Sequence, residues 1–158
     1  MKILVVSDTH KNFAMLKKAF DAVPDADIVV HLGDGESEFS LLRSTNPSRN
    51  MIFIGGNCDK ELHRPWQSID ACGQKIFCVH GHNHDVHKGV KDLVDAAKHY
   101  GCTVALYGHT HIRRTDIVDG IYVMNPGSLD SPRDGSPKSF GVLTVDESGS
   151  VEMEIREI

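Results

Sequence analysis

Ile3-Leu4-Val5-Val6-Ser7-Asp8-Thr9-His10 is the stretch from which the rest of the chain can be read. Four apolar residues in a row, without polar alternation, mark a strand covered on both faces. Ser7 to His10 then ends the strand with a carboxylate and an imidazole two residues apart. The same pattern recurs. Phe13, Leu16, Ala19 and Phe20 fall at helical spacing after Asn12, and Pro24 stops that helix. Ile28-Val29-Val30-His31-Leu32 is a second buried strand, closing on Gly33-Asp34. A short helix over 36–43 ends before Asn46-Pro47, and Met51-Ile52-Phe53-Ile54 is a third strand, closing on Gly55-Gly56-Asn57. The β-α-β-α-β rhythm predicts a largely parallel sheet with helices on its faces.

The second half reads differently. Residues 68–71 and 75–79 form a hairpin joined through Gly73-Gln74. A helix over 89–100 places Val90, Leu93, Val94 and Ala97 on one face, with Gly101 as its cap. The apolar run 103–107 is a buried strand that leads into Gly108-His109-Thr110-His111. Gly108 lets the backbone turn where a side chain would obstruct. Asp119-Gly120 turns a hairpin between 113–118 and 121–124, and the last strands are 139–145 and 151–156 around Ser148-Gly149. Antiparallel pieces are expected to dominate this half. Two sheets packed face to face, with helices outside, accommodate both halves. The 158 residues fit one domain over 1–158, without internal repeat or linker; 130–138 is the one loop of disorder-like composition.

Composition narrows the function. The formal net charge of −5 gives no signal for nucleic-acid or membrane-surface binding. Cys58, Cys72, Cys78 and Cys102 make no Cys-x-x-Cys pair, so reduced thiols in a cytoplasmic protein are the expectation. Only four apolar residues follow Lys2 before Ser7-Asp8, too few for a secretory signal, and no run reaches the ~20 residues a membrane helix needs. The compositional oddity is ten histidines.

Those histidines fall where chemistry is expected. Ligands of α/β sheets gather at the carboxyl ends of strands. Asp8, His10, Asp34, Asn57, His80, His109 and His111 all follow a predicted strand. Two carboxylates, one amide oxygen and four imidazoles suffice for two metal ions, one carboxylate bridging them if they sit ~3.5–4 Å apart. Mixed nitrogen and oxygen donors suit transition metals better than magnesium or calcium. We expect two divalent ions, manganese first, with nickel, cobalt, iron or zinc as alternatives.

The series Asp8-x-His10, Gly33-Asp34, Gly56-Asn57-x-Asp59, His80 and Gly108-His109-x-His111 resembles the calcineurin-like metallophosphoesterases. The tail Asn125-Pro126-Gly127-Ser128 is similar to that of the small prokaryotic YfcE-type phosphodiesterases. The resemblance implies an α/β fold, a four-layer α/β/β/α sandwich of two mixed sheets flanked by helices. It implies that Asp8, His10 and His111 hold one metal, Asn57, His80 and His109 the other, and that Asp34 bridges both. The expected activity is phosphodiester hydrolysis by a hydroxide bridging two metal ions, acting on a small substrate, with a homo-oligomer expected as an option. In many relatives a histidine follows the asparagine of the third motif and protonates the leaving group; here Cys58 stands there, and Asp59 loses that histidine as its partner. Asn57, Cys58 and Asp59 are the candidate catalytic residues. A phosphomonoesterase or protein phosphatase on the same site is the alternative within hydrolases. An interaction scaffold like the retromer small subunit is the alternative outside them, and the filled ligand positions favour an enzyme.

The remaining polar residues have plainer readings. His82, His84 and His87 read as a polar loop above the site, with an extra metal site as the sharper alternative. His31 reads as a strand histidine with a hydrogen-bond partner, and His63 and His99 as surface residues. Arg133 either reaches a substrate phosphate or is solvated, and Asn125-Pro126-Gly127 is a scaffold turn.

Overall fold

The computed structural model describes residues 1–60 and 63–158. Two five-stranded sheets lie face to face. The first has the order β10-β9-β1-β2-β3, from β1 (Lys2–Val6), β2 (Ile28–His31), β3 (Met51–Phe53), β9 (Ser139–Val145) and β10 (Val151–Glu157). The second has the order β4-β5-β6-β8-β7, from β4 (Trp66–Ala71), β5 (Gln74–Val79), β6 (Val104–Leu106), β7 (Arg114–Val118) and β8 (Ile121–Asn125). Helices α1 (Phe13–Asp21) and α2 (Glu36–Thr45) cover the outer face of the first sheet, and α3 (Lys91–His99) covers that of the second.

Three apolar layers follow from this arrangement. Ile3, Val5, Val30, Ile76, Val104 and Leu106 belong to a buried cluster between the sheets. Leu4, Val6 and Val29 point the other way, against Leu16, Phe20, Phe39 and Leu42 of α1 and α2. Phe77, Ala105 and Val123 do the same against Leu93, Val94 and Ala97. Continuous apolar runs were therefore required: both faces of β1, β2, β5 and β6 are covered. Asn12 caps α1 by accepting the N–H of Met15 (3.3 Å).

The second half departs from expectation in three places, and its antiparallel majority encloses a parallel centre: β5, β6 and β8 are parallel, with β4 and β7 antiparallel at the edges and β9 antiparallel to β1 and β10. The β7–β8 hairpin hides this, because its first strand lies at the edge and its second returns alongside β6. The turn between β4 and β5 is Cys72-Gly73, not Gly73-Gln74; both residues are left-handed (φ 48° and 82°), and Gln74 already pairs with Ala71. Gly89 (φ 146°) cannot continue a helix, so α3 begins two residues later, at Lys91. The loop 130–138 is fastened by its backbone, Arg133 N–H donating to the His111 carbonyl (3.1 Å).

Two consecutive left-handed residues are the mark of a type I′ hairpin, for which Asn-Gly is the favoured pair. Cys72→Asn is expected to raise stability by roughly 0.5–1 kcal/mol, because asparagine tolerates positive φ better than cysteine does. Urea denaturation checks this, with an unchanged slope and a higher midpoint expected.

Candidate active site

The strand ends of both sheets meet at one edge of the sandwich, and the predicted donors gather there. Asp8, His10, Asp34 and Asn57 come from loops of the first sheet, His80, His109 and His111 from the second. The approach is close. A Cβ on Gly108 would stand 1.9 Å from Ser7 Oγ and 2.8 Å from Asp8 Oδ2, so the turn works only without a side chain. Five of the seven donors, Asp8, His10, Asp34, His109 and His111, have φ between 41° and 68°. Non-glycine residues in that region are rare, and asparagine, aspartate and histidine tolerate it best.

The donor atoms face one another. His10 Nε2 is 3.2 Å from His111 Nε2, and His111 Nε2 is 3.3 Å from Asp8 Oδ1. On the other side His80 Nε2 is 3.1 Å from Asn57 Oδ1 and 3.5 Å from Asp34 Oδ2. Asp34 Oδ2 lies between the groups, 3.9 Å from His10 Nε2. The His109 ring sits 5.0 Å from that of His80, centroid to centroid, while the His109 backbone N–H donates to Asp8 Oδ2 (3.0 Å).

The outer nitrogens fix the rings. His80 Nδ1 lies 2.7 Å from the Leu32 carbonyl and His111 Nδ1 2.8 Å from that of Ser131. A carbonyl only accepts, so each Nδ1 carries the proton and each neutral ring turns a bare Nε2 inward. Inward lone pairs then face carboxylate oxygens with no proton between. Asp8 Oδ1 is buried and has no hydrogen-bond partner among the described residues. Such an arrangement is repulsive unless a cation lies within it. Without one, a proton takes that place. Burial disfavours charge on His111 and His80, but Asp8 beside the first and Asp34 beside the second outweigh it and raise both pKa values. Asp8, His10 and His111 form one group with donors within 4.8 Å of one another, and Asp8, Asp34 and His80 form another, so the donor set fits divalent metal ions.

His109 behaves differently. Burial, with the imidazoles of His80 and His87 close by adding to it, lowers its pKa to about 4, so it is neutral and ready to ligate. The His87 and His82 rings lie 4.7 and 6.2 Å from it, above the site, while the His84 ring meets Phe77 edge-on at 5.9 Å. His63, expected on the surface, is partly buried against Phe53 (4.8 Å); His99 is exposed.

Asp59 is not turned toward the side chain at position 58. Its two oxygens accept four backbone N–H groups, from Asp34 (2.9 Å), Gly35 (3.0 Å), Glu36 (3.1 Å) and Gly56 (2.7 Å). It therefore caps the start of α2 from outside the helix and pins the Asp34 loop. The Cys58 N–H donates to Asp34 Oδ1 (2.8 Å), and burial, with Asp34 close by, pushes the Cys58 thiol up to about 11. Asn125 braces the histidine turn through the Gly108 carbonyl (3.0 Å) and Thr110 Oγ1 (3.1 Å), and Ser128 Oγ donates to the Asp8 carbonyl (2.8 Å).

A second brace lies behind the donors. His31 Nδ1 accepts the Gly33 N–H (3.1 Å), so its Nε2–H donates to Thr9 Oγ1 (2.9 Å). Thr9 donates in turn to Glu38 Oε1 (2.5 Å), which also accepts the Lys11 N–H (2.7 Å). The sequence offered no signal for Glu38, since a glutamate in a first helical turn is ordinary.

A model for the calcineurin-like phosphoesterase superfamily domain matches residues 1–148, and the chain belongs to that superfamily. It is a metal-dependent phosphoric ester hydrolase of the α/β/β/α fold. Among its relatives, phosphodiesterase MJ0936 of Methanocaldococcus jannaschii is 31% identical over 175 residues, covering 100% of this chain and 98% of the relative. Phosphodiesterase YfcE of Escherichia coli strain K12 is 28% identical over 170 residues, covering 92% and 89%. The zinc complex of Vps29 from Entamoeba histolytica shares the fold, with a TM-score of 0.77, 23% identity, and coverage of 99% and 98%.

Burial lowers the pKa of His31 to about 4, below the ordinary 6.5. Its contribution to stability is full above pH 6.5 and is lost as pH falls toward 4, because the unfolded chain then binds the proton that the fold refuses. Unfolding free energy is expected to drop by up to ~3 kcal/mol over that interval. The difference between wild type and His31→Gln in chelator, followed by urea denaturation against pH, should shrink across the same interval.

Proposed function

We propose that the chain is a phosphodiesterase in which residues 1–158 form one catalytic domain and seven side chains hold two divalent ions. Asp8, His10 and His111 hold one, Asn57, His80 and His109 the other, with Asp34 shared. The observation that carries this reading is the convergence of bare imidazole nitrogens on carboxylate oxygens, Asp34 Oδ2 standing between the two groups at 3.5 Å from His80 and 3.9 Å from His10. The phosphodiesterase names of two relatives support the substrate class. Manganese is the metal we infer, from the mixed nitrogen and oxygen donors. The free cysteines fit a cytoplasmic location, and among the described residues no helix is long and apolar enough to cross a membrane.

When bound, two such ions acidify water into a nucleophile near neutral pH and draw charge from phosphate oxygens. The side chains prepare that chemistry. Asp8 and Asp34 contribute only two negative charges, so a site holding two dications stays positive and attracts a phosphate anion. His109 is neutral across the physiological range, its pKa lowered to about 4, and offers its lone pair without first losing a proton. Cys58 marks the side on which the leaving group would depart. A thiol at about 11 stays protonated yet gives up its proton reluctantly, so good leaving groups should be favoured.

Three outcomes test the reading. Chelation is expected to abolish hydrolysis of bis(4-nitrophenyl) phosphate and Mn²⁺ to restore it, with elemental analysis confirming metal loss and return. Asp34→Asn should cost at least the roughly 10–100-fold that loss of even an outer partner of a metal ligand costs, with less metal bound. Near-normal turnover and metal content in that variant would overturn the shared role of Asp34. Across aryl and alkyl phosphodiesters the rate should fall steeply as the leaving-group pKa rises. Cys58→His should flatten that slope, recovering part of the ~10²–10⁴-fold that an acid provides, and parallel slopes would remove position 58 from the leaving-group side.

A further inference from the structure

Beside the donor cluster lies an open cleft of about 500 Å³, with His10, Asp34 and Cys58 on one wall and Lys11 and Lys60 at its rim. That volume admits far more than a phosphate group. Its carboxylates keep their charge, but their oxygens are turned to the protein's own donors, which leaves the lysines as the charged groups of the lining that can meet an incoming anion. Glu38 accepts Thr9 Oγ1–H, the Lys11 N–H and Ser37 Oγ–H; Asp59 accepts four backbone N–H groups. Glu36 Oε2 accepts the Lys60 N–H (2.9 Å), and Oε1 lies 3.4 Å from His63. The two lysines are the reverse case. Both are exposed, and neither ammonium has a carboxylate or carbonyl partner among the described residues.

Lys11 carries a second, independent mark. Its φ is 72°, a region that lysine rarely adopts, and the Glu38 carboxylate on its N–H (2.7 Å) belongs to the network that also holds Thr9 and His31. Backbone strain that surrounding structure enforces concentrates at binding sites. Here the enforced turn places a lysine, rather than a neutral residue, immediately after a donor histidine at the mouth of the cleft.

We propose that Lys11 and Lys60 form an anion subsite that selects phosphodiesters bearing a second phosphate on the alcohol arm that occupies the cleft. The scissile phosphate lies at the donor cluster, and the second anion is received at the rim. The subsite deepens the phosphodiesterase reading and rests on it for the word substrate, though not for binding.

The methyl phosphodiesters of 4-cresol and of 4-(phosphonomethyl)phenol, which differ by an anion on the departing arm, test selectivity. The ratio of kcat/KM between the two is expected to be about tenfold at low salt, two solvent-facing charge pairs giving a few-fold each. It should fall to about one in the double variant Lys11→Ala/Lys60→Ala, survive in Lys11→Arg/Lys60→Arg, and shrink with added salt. A ratio near one in the wild type, or an undiminished ratio in the alanine variant, would overturn the subsite while leaving phosphodiester hydrolysis intact. Calorimetry of the metal-loaded protein with thymidine 3′,5′-bisphosphate against thymidine 5′-monophosphate reads the same subsite without turnover. Tighter binding of the bisphosphate to wild type, lost in the alanine variant, supports it even if neither diester is cleaved, and equal binding rejects it.

Discussion

Asp8 Oδ1, buried and without a hydrogen bond among the described residues, faces an imidazole whose inward nitrogen also lacks a proton. Groups of that kind do not collect spontaneously; something must press them together. Four donors arrive on the first sheet and three on the second, so neither sheet alone holds a complete set. What joins the halves is the apolar layer between the sheets, where Ile3, Val5, Val30, Ile76 and Leu106 are fully buried. Hydrophobic burial, which is strong and non-directional, thus holds in place a polar arrangement that would otherwise spread apart. Around it, hydrogen bonds supply direction: Leu32 and Ser131 aim two rings, and Asn125 and Ser128 lock the loops.

Most of this architecture is legible in the chain because both faces of the central strands are covered. Covered strands must be continuously apolar, so their ends stand out sharply, and each end carries a donor motif. The pairing of the second sheet is less legible. Strand β7, which follows β6 in the chain and forms a hairpin with β8, masks the parallel β6–β8 pair, since local sequence reports the turn at Asp119-Gly120 but not where the returning strand lies. The Cys72-Gly73 turn is hidden for a related reason, as cysteine is not the expected partner of glycine in a left-handed pair.

The supporting residues were hardest to read. Asp59 looks like a partner for its chain neighbour, yet its carboxylate serves four N–H groups from two loops, which only the folded path of 33–36 and 56–59 brings together. Glu38 is an unremarkable helix residue until Thr9 and Lys11 are laid against it. His31 could be anticipated as a bonded strand histidine. That it stays neutral depends on its complete enclosure by Phe39, Phe53 and the loops. Side chains that touch ligand or metal are constrained by their own chemistry, and those that hold them are constrained only by neighbours.

The left-handed backbone at five donor positions has a consequence for the history such a chain can have. Each of these residues stores on the order of 1 kcal/mol that glycine would release, in a protein class whose net stability is only about 5–15 kcal/mol. Losing the chemistry therefore relaxes the chain, and the three apolar layers are left untouched. On this scaffold an enzyme is the tense form and an inert surface the slack one. Selection for turnover has to be continuous to keep the donors in place; when it lapses, drift toward a protein that only binds runs downhill.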